Sequence, residues 1–336
     1  MKSDNGKVSV ILPAYNREAY IQECIGSVLV QSYKNVEIIV VDDGSSDHTY
    51  QICKDLATEE PRIKLFQTKH CGVSAARNKA IDEATGEFLF FLDSDDVIYP
   101  LLLETLVSAM YKTGAEMAGT HVAFVSEALW ERVRKRISPP FVSIETFYQN
   151  HLETVDNLFH GPSVFGCIGG TMFRRDFVGE TRFRTDLFIG EDFYFLYENL
   201  VKGASSVGTE NKFYYARGHA NNTSWDYGFD GFWTRFLRRK LVWENEEKLG
   251  RTEYVNIQKG DAFDCFCRCY PKNKLFSTDS RKMRKVLREY TKLMLPAFSV
   301  KEKKLYISYA YFPLINYLYF KIKHKDLFCN LKKMHS

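Results

Sequence analysis

Three acidic clusters in this sequence follow directly on apolar or aromatic stretches. Asp93-Ser94-Asp95-Asp96 comes straight after the apolar run 88–92, Asp42-Asp43 after the run 36–41, and Glu191-Asp192 opens a helical stretch behind Phe188-Ile189-Gly190. Carboxylates this crowded repel and raise one another's pKa values unless a cation shares the site. The four-residue cluster therefore suits a hard divalent ion with oxygen ligands, magnesium or manganese. The plainer reading is a solvated acidic turn capping the next helix. Glu191 and Asp192 could equally gain from a helix dipole or supply a general base. His219, in the polar loop 218–224, is by itself only a solvated loop histidine.

The elements that must position these groups can be read from periodicity. Short continuous apolar runs at 8–12, 36–41, 63–67, 88–92 and 115–124 predict strands, the unbroken ones buried on both faces as in a parallel sheet. Helical spacing fills 18–31, the stretch behind Ser46 and Asp47 to about 57, 72–84 and 100–112, with Gly86 and Gly114 as the stops of the last two. This alternation predicts a doubly wound sheet of the nucleotide-binding type, with ligands at the carboxyl ends of its strands. The exit from the first strand reads P-A-Y-N-R-E, without the G-x-G-x-x-G of a dinucleotide fold, and a Walker loop is absent as well. A bound diphosphate must be neutralised in another way, and a metal held by residues 93–96 would do it.

Further on, 126–159 reads as an insertion or a pair of short helices. Gly166, Gly169 and Gly170 approach a strand near 171–173, small enough to let another molecule close to the backbone. A helix over 193–202, a strand over 207–217 and helices over 229–250 and 281–295 complete the pattern. The stretch 305–320 has no charge, is rich in tyrosine and is flanked by lysines. It is too short to span a bilayer and fits either a membrane interface or packing in a helical subdomain or subunit contact.

The net charge of +4 is unevenly spread. Residues 271–336 hold 16 Lys plus Arg against 4 Asp plus Glu, a balance of +12, which leaves −8 on the first 270. A basic tail points to an anionic partner: phospholipid, nucleic acid or another polyanion. The eight cysteines match no zinc spacing and no disulfide framework, Cys265, Cys267 and Cys269 merely alternating, so they read as reduced thiols. No signal-peptide pattern opens the chain.

Six stretches together resemble the family 2 glycosyltransferases, inverting enzymes on the GT-A fold. They are V-S-V-I-L-P-A-Y-N from Val8, V-V-D-D-G-S-S-D from Val40, G-V-S-A-A-R-N from Gly72, F-L-D-S-D-D from Phe91, G-E-D from Gly190 and Y-Y-A-R-G-H from Tyr214. The resemblance implies an α/β GT-A catalytic domain over 1–225, a Rossmann-like sheet with helices on both faces. A mostly α-helical, basic, aromatic-rich region over 226–336 would follow, for acceptor, membrane-surface or oligomer contacts. It implies a UDP-sugar donor and a glycan, glycoprotein or polymer acceptor. Tyr15 would lie against the uracil ring, with Pro13 and Ala14 shaping the pocket. Asp43 would accept the uracil N3–H, and Arg77 would help fix the base. Asp93-Ser94-Asp95 looks like the family's D-x-D, with Asp93 on ribose or metal-bound water and Asp95 on manganese or magnesium. Asp192 matches the catalytic base, and Glu191 would orient the acceptor. His219 is similar in position to a residue that in some relatives touches the metal or the pyrophosphate. A cytoplasmic protein at the inner face of the membrane, touching it through 301–325, fits this picture, as does a homo-oligomer.

The chemistry agrees with the residue types. A sugar hydroxyl must lose its proton as it attacks, and a single carboxylate can take it. A base on the face opposite the leaving group gives inversion without a second, nucleophilic carboxylate. Rival readings are weaker. A sugar nucleotidyltransferase needs a glycine-rich basic loop that P-A-Y-N-R-E does not supply. A non-catalytic nucleotide-sugar-binding scaffold should have lost the D-x-D or the Glu-Asp pair. A nucleic-acid binder lacks a recognition module, and a dehydrogenase lacks its glycine fingerprint.

Overall fold

The first seven elements alternate as the sequence predicts: β1 (Val8–Ala14), α1 (Ile21–Leu29), β2 (Val36–Asp42), α2 (Thr49–Glu59), β3 (Ile63–Gln67), α3 (Val73–Asp82) and β4 (Phe88–Phe91). They are seen in a computed structural model, which describes residues 6–134, 144–160, 165, 167–218, 228–269, 278–295, 300 and 303–304. β1, β2 and β4 are buried at every position, which is why their sequences run apolar instead of alternating. β3, β2, β1 and β4 lie side by side and parallel. Pro13 is tolerated in central strand β1 because the ladder to β4 stops at Ile11–Phe91, before its missing N–H is needed.

The sheet then departs from the doubly wound expectation. After β5 (Val97–Ile98), α4 (Leu102–Thr113), β6 (Met117–Ser126), α5 (Glu127–Arg134), β7 (Thr146–Gln149) and α6 (His151–His160), strand β8 (Thr171–Arg174) enters beside β4. It runs antiparallel to both β4 and β6. A strand entering from the opposite direction needs no crossover helix, so the sheet is mixed. After α7 (Arg175–Val178) and α8 (Glu191–Val201), the long β9 (Ser206–Gly218) runs parallel to β6 and also carries β5 and β7. β7 and β5 are the strands the periodicity missed. β7 is a half-exposed edge and β5 has only two residues, so neither leaves a pattern.

Gly86 has a different task from the one expected. α3 already ends at Asp82, with Glu83 still in right-handed helical geometry. A Cβ on Gly86 would lie 2.6 Å from the Lys7 carbonyl and 2.7 Å from the Ser9 hydroxyl, so the glycine lets the chain cross β1.

Contacts divide the chain into two units, one running to Thr185 and resuming over Glu191–Asn222, the other made of Asp186–Gly190 and the chain from Thr223. The second unit contains α9 (Phe229–Lys248), α10 (Thr252–Cys269), α11 (Thr278–Glu289) and α12 (Thr291–Met294). Phe232, Phe236, Trp243, Phe266, Met283 and Leu287 form its core. The single helix expected over 281–295 is thus two, with a turn at Tyr290. No helix among the described residues is long and apolar enough to cross a membrane. The aromatic stretch 305–320 lies outside the described residues.

In the first unit, four phenylalanines join β4, β8 and α8. Phe183 and Phe195 stack at 4.1 Å, and Phe91 and Phe173 meet Phe195 edge-on at 5.6 Å each. Phe195 is fully buried one turn into α8, so it fixes the helix whose first residues are Glu191 and Asp192. Phe195→Ala should lower the unfolding free energy by about 3–5 kcal/mol. Urea titration would register this as a lower midpoint at unchanged slope.

Candidate functional site

β2, β1 and β4 end at the same edge of the sheet, and that register brings the acidic clusters together. Asp93 leaves β4, and its Oδ1 accepts from Arg77 Nη2 at 2.8 Å. Arg77 projects from α3, and its Nη1 donates to Glu191 Oε1, also at 2.8 Å. The guanidinium lies 5.2 Å from the centre of the Phe183 ring. Burial works against the Arg77 charge, but Asp93 and Glu191 outweigh it and hold its pKa above the ordinary value. Burial first, and then Asp192, push the Glu191 carboxyl up to about 7, against the pull of Arg77. One arginine therefore ties the acidic end of β4 to the acidic start of α8.

The other members of the acidic cluster face different partners. Asp95 Oδ2 accepts from Arg17 Nε at 3.1 Å. Ser94 is buried. Asp96 is buried too, and accepts from the Tyr214 hydroxyl at 2.6 Å and the Arg217 N–H at 2.9 Å. Burial, then Asp95 and Asp93, raise its pKa well above the usual carboxylate range. The Tyr214 hydroxyl also accepts from the Asp93 N–H at 3.2 Å. Gly169 serves this tyrosine: a Cβ there would lie 2.7 Å from the hydroxyl oxygen. The space the sequence assigned to an incoming molecule at Gly169 is filled by the chain's own Tyr214. Gly166 lies outside the described residues.

Asp192 is half-buried in the first turn of α8, and its Oδ1 accepts from the Phe193 N–H at 2.6 Å. Burial and then Asp192, Asp93 and Asp96 push the Cys167 thiol up to about 12. At the other end of the site, Pro13 and Ala14 are buried within β1. Tyr15 follows, 38% exposed, its ring stacked on His70 at 4.0 Å. Asp43 is buried and hydrogen-bonded by the turn that leads into α3. His219 lies outside the described residues.

Among the described residues no group of three or more His, Cys, Asp or Glu could hold a metal ion. A magnesium-type site needs only one or two carboxylates, the substrate's phosphates supplying the rest. Asp93 and Asp95 are two such carboxylates, each with one oxygen already held by an arginine of the chain.

Sequence reasoning passed over Arg17, Tyr214 and the anchoring role of Asp96. Their ranges were visible, but pairing Asp96 with Tyr214 spans 118 positions, and no local pattern encodes it.

Residues 9–182, just over half of the chain, match the family described as Glycosyl transferase family 2. Glycosyltransferase GlyA of Streptococcus pneumoniae serotype 4 is 40% identical over 119 residues, 35% of this chain and 17% of that protein. The cholesterol galactosyltransferase of Borreliella burgdorferi is 30% identical over 214 residues, 62% of this chain and 59% of that one. The chain thus spans less than two thirds of the length of either relative. The crystal structure of S. aureus TarS 1-349 in complex with UDP shares the fold with a TM-score of 0.68 at 19% identity, over 95% of this chain and 91% of that one. The α/β sheet followed by helices is what the two have in common.

The buried Glu191 gives a test of this geometry. Its raised pKa means that the folded chain holds a proton that the unfolded chain releases above about 4.5. That stability is complete below pH 4.5 and is lost as the pH rises to about 7. Against the isosteric Glu191→Gln variant, the unmodified protein should lose up to ~3 kcal/mol over that window. Thermal or urea unfolding of both proteins at several pH values would measure it, and parallel pH profiles would contradict it.

Proposed function

The chain belongs to glycosyl transferase family 2, and from that premise we propose that it moves a hexose or N-acetylhexosamine from a UDP-sugar to a hydroxyl of a glycan, glycoprotein or cell-wall polymer, with inversion. The observation that carries this reading is the Arg77 bridge, which joins the D-x-D carboxylate Asp93 to Glu191, next to Asp192. A transferase needs a donor-side carboxylate and an acceptor-side base facing one reaction space, and this bridge supports such a pairing.

In this reading Asp192 takes the proton of the attacking hydroxyl, because it is the less buried member of the Glu-Asp pair and follows Glu191, which Arg77 ties to the D-x-D. Glu191, locked to Arg77, orients the acceptor and does not exchange protons with it. Tyr15 and Asp43 hold the base of the donor. Arg77, engaged on both sides, acts as the tie between the two halves and not as a direct base contact. Asp95 and Asp93 would hold manganese or magnesium, which supplies charge neutralisation for the departing diphosphate. The choice of a uridine nucleotide draws on the motif set and on the shared fold of the staphylococcal protein solved with UDP.

Release of UDP by the purified protein, screened over UDP-glucose, UDP-galactose, UDP-GlcNAc and UDP-GalNAc with manganese or with EDTA, tests the reading. Slow hydrolysis of one donor, abolished by EDTA, is expected. No turnover and no binding of any of the four would refute it. Asp192→Asn should then cut turnover by about 10²–10⁴-fold while calorimetric UDP affinity stays nearly constant. Asp95→Ala should bring UDP affinity in manganese down to its value in EDTA.

A further inference from the structure

Asp43 is more fully occupied than a carboxylate waiting for a ligand. Its Oδ1 accepts from the Thr68 hydroxyl at 2.9 Å and the Cys71 N–H at 2.9 Å. Its Oδ2 accepts from the Gly72 N–H at 2.8 Å and lies 3.0 Å from His70 Nδ1. Two carboxylate oxygens offer about four lone-pair sites, so three are filled by hydrogen bonds from the chain and His70 Nδ1 stands beside the fourth. Two of the three donors are backbone N–H groups and the third is the hydroxyl of Thr68, whose own N–H is tied to the Asp42 carbonyl. His70 is held differently. The His70 side chain is 57% exposed. Its Nδ1 also lies 3.2 Å from the Asp43 carbonyl oxygen. Both neighbours are acceptors, so Nδ1 carries the proton.

The same imidazole stacks on Tyr15, with ring centres 4.0 Å apart and planes 21° from parallel. With one flat ring His70 thus covers the face of Tyr15 and, with its N–H on the Asp43 carbonyl, stands against the edge of the Asp43 carboxylate. The proposed donor base needs that face and that edge. Uracil is also a flat ring with an N–H in its plane, and it cannot occupy that place together with an imidazole.

We propose that His70 is a removable stand-in for the nucleobase, closing the base subsite until the donor displaces it. The proposal rests on the uridine-nucleotide reading above. Displacement moves only the exposed His70 ring, and the three hydrogen bonds from Thr68, Cys71 and Gly72 keep the carboxylate in place. The closed fraction lowers apparent affinity in proportion to its population.

Calorimetric titration of the full chain with UDP, CDP and inorganic pyrophosphate, all with manganese, tests this. His70→Ala should bind UDP roughly three- to tenfold more tightly, the scale of one stacked pair removed as competitor. Affinity for pyrophosphate should stay unchanged, since it uses neither the Tyr15 face nor the Asp43 edge that His70 vacates, whereas CDP, which shares only the ring face with UDP, should gain less than UDP. His70→Phe, which can stack but cannot donate, should fall between. Equal or weaker UDP binding by His70→Ala overturns the proposal alone, leaving the uridine reading intact. An equal gain for pyrophosphate also overturns it, because the gain would then be a general loosening. If neither protein binds UDP, the proposal and the uridine reading fall together.

Discussion

A buried guanidinium with two carboxyl partners is the constraint on which the rest of this site depends. Arg77 is almost inaccessible to water, and a guanidinium there is tolerable only because Asp93 and Glu191 both reach it. The two carboxylates come from segments almost a hundred residues apart. The ion pair network therefore fixes their separation more firmly than either loop could alone. Beneath it, Phe91, Phe173, Phe183 and Phe195 provide an aromatic floor that keeps water away from the pairs and strengthens them.

The acidic end of β4 shows how crowded carboxylates are held. Asp93, Asp95 and Asp96 crowd one turn, and the strain falls on the most buried of them, Asp96. Two donors from β9, the Tyr214 hydroxyl and the Arg217 N–H, compensate it in part. Arg217 is itself held between Trp130, at 3.9 Å, and Tyr20, at 4.9 Å. The outer members of the cluster meet cations that belong to the chain, Arg17 on Asp95 and Arg77 on Asp93. Each outer carboxylate is thus held by a cation of the chain, which keeps it ordered.

The second unit has its own logic. α11 buries Met283, Val286 and Leu287 and exposes Arg281, Lys282, Lys285 and Arg288, so part of the basic character of the tail forms one helical face. α9 and α10 are packed through aromatic rings, Phe232 meeting Phe266 at 6.1 Å. Cys265 and Cys269 lie one turn apart in that core.

The sequence by itself determined the elements and their edge. Continuous apolar runs such as 36–41 can only be strands covered on both faces, and a strand that ends in carboxylates exposes them at the rim, so Asp43 and the residues from 93 to 96 were legible as site residues. The local motifs also marked Arg77, Glu191 and Asp192. Tertiary structure decided which of these groups touch. No spacing rule joins Arg77 to residues 93 and 191, places Tyr214 on Asp96, or lays His70 on Tyr15, because those contacts arise where separate loops converge at one sheet edge. The antiparallel entry of β8 and the half-exposed β7 were likewise decided by pairing partners far along the chain. Periodicity records which face of an element is buried. It does not record what lies against that face.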